Sequence, residues 1–262
     1  MAREWVITSP HGSFSLKHED DVISVGGKDV CVMIVYKGSE KSMLHWLGTN
    51  SQCVSRGFPI KGDAAKNMVY LATSIFRSLY QYVRHIQLID SSSFKCALPD
   101  GTLHSIVLRE AHFLFHGKTY YEDKFNAVPS TPDGCLTMQE FREAFHNPDR
   151  KPKAFNFMDP TLTDLLTPIY NTENTWCGFF QAIQNKWQDK CRMIYLWYRL
   201  ALYEMVEKTI PEHWSIDITR LPLIRPEFKP KSGGSKQTRK HRHAKMYPLD
   251  EPWGANIQFK WQ

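Results

Sequence analysis

The chain has 262 residues, of which 42% are apolar, 23% charged and 13% aromatic. That composition is globular and excludes disordered, collagen-like and coiled-coil chains. The length allows one large domain or two small ones, each able to bury a core. The formal charge of +6 is unevenly placed. Residues 1–224 are balanced, with 24 Lys+Arg and 24 Asp+Glu, whereas residues 225–246 hold eight basic residues and one acid. A neutral body with a local cationic segment points to a polyanionic partner for that segment alone.

No apolar run approaches the ~20 residues that span a bilayer. Met1-Ala-Arg-Glu-Trp5 offers no apolar stretch for a secretory signal. The expectation is a soluble chain made in the cytosol, without a membrane partner. Cys31, Cys53, Cys96, Cys135, Cys177 and Cys191 are spread out, with no C-x-x-C pair. They are expected to be reduced thiols in or near the core, and their spacing gives no zinc site. His241 and His243 sit among Lys236, Arg239, Lys240, Arg242 and Lys245, which would repel a metal ion.

Residues 13–55 read as β structure. Ser13–Leu16 alternates polar and apolar. Asp21–Gly27 is a short strand closed by Gly-Gly, and Val30–Tyr36 is a continuous β-branched run. Ser42–Leu47 follows as its hairpin partner. Residues 63–84 predict a helix with Asp63 as N-cap. Met68, Leu71, Ala72, Ile75, Phe76, Leu79 and Val83 form its stripe. His85–Asp90 alternates as a strand, so strand, helix and strand imply a right-handed crossover and a parallel pair.

Residues 91–101 read as a loop, and Thr102 as the cap of a second helix ending near Gly117. Thr119-Tyr-Tyr-Glu122 and Thr137-Met-Gln-Glu140 both have capping-box spacing, and each is expected to open a helix. Residues 147–160, with three prolines and three basic residues, read as a linker or surface loop. Thr161–Tyr170 predicts a short helix. Trp176–Lys208 predicts one long aromatic-rich helix, buried against the first domain or a partner and stopped by Pro211. Residues 221–235 are rich in Pro, Gly and Ser and read as extended. The last fifteen residues regain aromatics and read as a docking tail.

The order hairpin, buried strand, loop, helix, strand, helix over residues 14–127 resembles the Gcn5-related acetyltransferase fold. In that family the loop before the central helix carries Q/R-x-x-G-x-G/A and cradles the pyrophosphate of acetyl-CoA. The matching stretch here is Pro59-Ile-Lys-Gly-Asp-Ala64. The resemblance implies Lys61, Gly62 and Ala64 at the cofactor phosphates, but Pro59 replaces the leading Gln/Arg and Asp63 brings a negative charge. The family's general acid is a Tyr near the start of the last helix, and Tyr121-Glu122 matches that position. Its Gly-Phe is displaced, with Phe125-Asn126 in its place. On packing grounds alone, Tyr120 and Phe125 read as core and Tyr121 as partly exposed. Gly117-Lys-Thr-Tyr-Tyr-Glu-Asp-Lys-Phe125 also resembles a G-K-T-[WY]-Y-E-x-x-F motif of uncharacterised proteins of large double-stranded DNA viruses. That resemblance implies a host cytoplasmic, nuclear or virion setting and not secretion. Gly117-Lys-Thr lacks the upstream glycine of a P-loop.

Hydrolase signatures are absent. His112 and His116 are four residues apart and share a helical face with no third ligand evident, so no metal is expected. Lys229, Lys231, Lys236, Arg239, Lys240, Arg242 and Lys245 can each neutralise a phosphate. The segment 229–245 therefore reads as a site for DNA or RNA, for a protein partner, or as a linker or import signal.

The fold class expected is α+β. An acetyltransferase-like mixed sheet with a crossover helix occupies residues 1–130, and a helical region follows over 131–220. A basic arm over 221–246 and an aromatic tail over 247–262 complete the chain. The function expected is non-enzymatic: a viral binding or structural protein acting through its arm and aromatic helix, with no cofactor. The alternative is a divergent N-acyltransferase using acetyl-CoA, with Tyr121 as acid.

Overall fold

A computed structural model describes residues 3–9, 12–20, 22–26, 30–36, 41–47, 64–98, 100–187, 189–224 and 227–230. The protein is mixed α+β, and these residues form two compact units. The first comprises 3–84 with 221–230, the second 85–220. The expected boundary at 130 therefore falls inside the second unit, and the one at 221 coincides with the end of that unit.

The first unit is an antiparallel sheet with one helix. Its strands are β1 (Arg3–Ser9), β2 (Gly12–Glu19), β3 (Val22–Gly26), β4 (Val30–Tyr36) and β5 (Lys41–Leu47). Each pairs antiparallel with the next. β1 was not expected, although Glu4-Trp-Val-Ile-Thr8 has the β-branched and aromatic content of a strand. Helix α1 (Ala64–Leu79) follows. Leu71, Ile75 and Phe76 are fully buried on it, as are Leu16, Ile23 and Val25 on the sheet. Arg77 donates to the Leu221 carbonyl at 3.2 Å and Ser74 Oγ accepts from Ile224 N at 2.9 Å, so the returning chain is tied to α1.

The second unit contains β6 (His85–Ile89), β7 (Ser93–Ala97), β8 (Leu103–Val107), α2 (Leu108–His116), α3 (Tyr120–Phe125), β9 (Val128–Pro129) and α4 (Pro132–His146). It continues with α5 (Pro160–Thr172), α6 (Trp176–Lys186), α7 (Lys190–Ile194), α8 (Tyr198–Met205) and β10 (His213–Asp217). β10 pairs antiparallel with β6 and β9, and β7 pairs antiparallel with β8. The expected crossover thus links strands of different units, and the partner of β6 within its own unit runs antiparallel.

Several expectations are corrected here. Residues 93–97 are a strand, not loop, and residues 103–107 pair with it instead of starting a helix. Thr102 closes the turn between them, its N and Oγ1 both donating to Asp100 Oδ1 at 2.9 and 2.7 Å. Helix α4 opens at Pro132 with Thr131 as its cap, so Thr137 lies inside it. A proline at the first helical position costs no hydrogen bond and fixes a helical φ, which settles the start.

The long aromatic helix is broken into α6, α7 and α8. Its aromatic face is covered by the unit itself. Trp176, Phe179, Phe180 and Trp197 are fully buried with Phe157 and Tyr170. Phe155 and Phe157 supply the opposing rings, at 5.2 Å from Trp176 and Trp197 respectively. Residues 147–160 are otherwise mostly exposed, as a surface loop would be, with Phe157 as their buried anchor. Buried indoles need acceptors, and Trp176, Trp197 and Trp214 donate to the carbonyls of Arg150, Met193 and Pro211 at 3.1, 2.7 and 3.0 Å.

Cys96 and Cys191 are joined in a disulfide with Cα atoms 5.8 Å apart, which corrects the expectation that they are thiols. Cys135 and Cys177 are free. Among the described residues, no helix is long and apolar enough to cross a membrane.

Candidate functional site

A buried polar group in the second unit lies where β6 ends and α2 begins. Asp90 follows β6 and is 1% exposed. Its Oδ1 accepts from Ser92 N at 3.2 Å and from Ser92 Oγ. Arg109, also buried, donates from Nη1 to the Asp90 carbonyl and from Nη2 to Glu212 Oε1 at 2.6 Å. Glu110 Oε2 accepts from Arg199 Nε at 3.2 Å. Asp90 Oδ2 and Arg109 Nε are buried without a hydrogen-bond partner.

Desolvation raises the Asp90 pKa above the ordinary carboxylate value, against the lowering effect of Ser92 and Arg109. A buried acid of this kind holds its proton to higher pH than a surface aspartate. Sequence reasoning missed this group because its members are far apart along the chain and share no motif. The one available signal was a run of charges, Arg109-Glu110, beside the apolar stripe of a helix.

Tyr121 sits on α3, behind a complete capping box. Thr119 Oγ1 accepts from Glu122 N at 3.4 Å, and Glu122 Oε2 accepts from Thr119 N at 3.2 Å. Arg142 holds the other Glu122 oxygen. This capping box was legible in the sequence. Tyr120, Tyr121 and Phe125 are all buried, so the expectation of a partly exposed Tyr121 is corrected. Burial, with Asp90 and Tyr120 adding to it, drives the Tyr121 phenol well above its usual range. At 7% exposure Tyr121 is buried. Transfer of a proton to a substrate needs hydrogen-bond reach.

His112 and His116 do share a face of α2, with ring centroids 4.3 Å apart. The His112 Nδ1 lies 2.7 Å from the Lys118 carbonyl, which fixes Nδ1 as the protonated nitrogen in the neutral ring. Its Nε2 is 3.9 Å from Asp123 Oδ2, and Lys124 occupies that same oxygen at 2.6 Å. Desolvation lowers the pKa of His112. Among the described residues, no group of three His, Cys, Asp or Glu is placed to hold a metal ion.

An open depression of about 430 Å³ lies before α5, lined by Asn156, Met158, Asp159, Pro160, Thr163 and Asp164. Asp159 Oδ1 there accepts from Leu162 N at 2.8 Å as the helix cap, which accounts for its position.

The other expected site residues are placed as follows. Lys61 and Gly62 lie outside the described residues, and Ala64 is the first residue of α1. Lys229 lies on β11 (Glu227–Pro230), opposite Val6 of β1. Lys231, Lys236, Arg239, Lys240, Arg242 and Lys245 lie outside the described residues. No protein-family model, curated protein or solved structure matches the chain.

Proposed function

We propose that the chain is a non-enzymatic binding protein whose folded body carries a cationic arm to a polyanion, DNA or RNA. The observation that supports this reading is the segregation of charge. The whole positive excess lies in residues 225–246, behind a body with equal numbers of acids and bases. The arm has a fixed root, because β11 pairs with β1 in the register Trp5 opposite Pro230 and Thr8 opposite Glu227. Past Pro230 come six Lys and Arg within fifteen residues, interspersed with Gly and Ser and with no aromatic before Tyr247. Such a segment contacts phosphates, releases counterions and reads little sequence.

The aromatic helix drops out of the proposed binding surface, since its rings are packed inside the second unit. A degenerate acetyltransferase-like scaffold reused for binding, in a viral setting, belongs to the same proposal. The motif resemblance over 117–125 supports it, as does the element order from residue 14 through the strand at 85–89, where the resemblance over 14–127 gives way to the β7–β8 hairpin. The acyltransferase alternative, with Lys61, Gly62 and Ala64 on acetyl-CoA, needs Tyr121 to reach a leaving thiolate. The burial of Tyr121 favours the binding reading.

The test removes residues 231–245, which spares β11. Fluorescence anisotropy at low salt is expected to show DNA or RNA binding by the intact chain and loss of it in the deletion, with an unchanged melting point. Unchanged binding by the deletion, or none by the intact chain, refutes the proposal. A rise in melting point with acetyl-CoA would favour the acyltransferase instead.

A further inference from the structure

The aromatic stripe from Trp176 to Lys208 has the period of one continuous helix, yet the chain breaks twice within it. Between the breaks stands α7, a helix of five residues. A helix that short has little stability of its own and depends on what holds it. Two links run from it to β7. Arg192 Nε donates to the Ala97 carbonyl at 3.0 Å, and Cys191 is bridged to Cys96. Cys96 is central in β7 and 1% exposed, whereas Cys191 is only half-buried.

From this arrangement we propose that the Cys96–Cys191 bridge is a reversible redox latch, holding α7 against β7 and opened by a dithiol reductant. The inference is independent of the cationic arm. Access selects the point of attack. A reductant thiolate meets the Cys191 sulfur first, and the flanking Lys190 and Arg192 attract an anionic nucleophile. The S–S bond breaks as the mixed disulfide forms on Cys191. Cys96 leaves as a thiolate and takes up a proton. The second thiolate of the reductant then attacks the mixed disulfide and closes the reductant into its own cyclic disulfide. Cys191 is released and protonated. Two electrons and two protons have passed to the protein.

The opened state keeps the Arg192–Ala97 hydrogen bond between the two elements. That link is exposed, and Arg192 is shared with Asp189 at 2.9 Å. The reduced chain therefore samples loosening of α7 from β7, while Ile194 and Trp197 stay anchored in the core of the unit. Burial raises the Cys177 thiol above its usual pKa, which lowers its thiolate fraction.

The test uses the full chain. Peptide mapping without reductant is expected to recover a Cys96–Cys191 linked peptide. Hydrogen exchange is expected to rise several-fold in 190–194 on adding dithiothreitol, and to fall back after treatment with oxidised glutathione. Cys191→Ser is expected to show the raised exchange with or without reductant. If that variant fails to fold, reduction of the wild type carries the test alone. Free thiols at both positions after oxidised glutathione, exchange unchanged on reduction, or simultaneous loss of all protected amides would each overturn the proposal.

Discussion

Arg109 Nη2 donates to Glu212 Oε1 at 2.6 Å, joining the second residue of α2 to the residue just before β10. The two ends of this ion pair are unequal. The Arg109 side chain is 7% exposed and that of Glu212 is 55%. Glu212 returns to water when the pair is broken, whereas truncating Arg109 strips the buried Asp90 of its carbonyl partner and its nearby cation. Arg109→Ala should therefore cost about 1.5–3 kcal/mol, the range for hydrogen bonds to charged groups. Glu212→Gln should stay within about 1 kcal/mol, as exposed pairs do. Urea unfolding measures both, and equal losses would show that the asymmetry of burial does not govern this pair.

Thr119 is fully buried and caps α3. Replacing it with alanine leaves Glu122 N without its acceptor and removes the group that fixes the Glu122 backbone. Thr119→Ala is expected to cost about 1–2 kcal/mol, whereas Thr119→Ser keeps the hydroxyl and the cap and should lose only a few tenths. Denaturant midpoints at constant slope would record the difference. A serine variant as weak as the alanine would mean the lost methyl, not the cap, carries the effect.

The capping box at Thr119 shows what the sequence made legible, as do β2 to β5. Short-range chemistry decides both: a side chain reaching its own backbone, or alternation across a pleat bounded by Gly and turn residues. Residues 103–107 were misread because Leu103, Ile106 and Val107 satisfy a helical period and a strand at once. The pairing with β7 decided between them. The breaks after Lys186 and after Ile194 carry no Gly or Pro in the sequence, so periodicity ran straight through them, and the bridge to Cys96 was invisible across 95 residues. The Asp90, Arg109 and Glu212 group was illegible for the same reason. Its hydrogen bonds span 19 and 103 positions, where no spacing rule applies.

Acid should destabilise the protein through His112. Burial holds its folded-state pKa below the ordinary 6.5, with the Lys118 carbonyl, Asp123 and Glu122 opposing that shift and Lys124 adding to it. His116 stands beside it, likewise lowered first by desolvation and then by His112. Below about pH 6.5 the unfolded chain takes up a proton that the folded chain resists, so stability is full above that pH and falls as pH drops. Asp90 acts in the opposite sense, because its raised pKa makes stability rise as pH falls toward 3.8. The comparison with His112→Asn separates the two. Urea midpoints between pH 7 and pH 5 should fall more for the wild type than for the variant. Parallel curves would exclude His112 as the source.

The dependence of nucleic-acid affinity on salt tests the central claim most directly. Six cations lie between residues 231 and 245. If all of them neutralise phosphates of duplex DNA, log K should fall against log salt with a slope of about −5. Removing 231–245 should abolish that slope together with the binding. A slope near zero in the intact chain, or a slope that survives the deletion, would contradict the account.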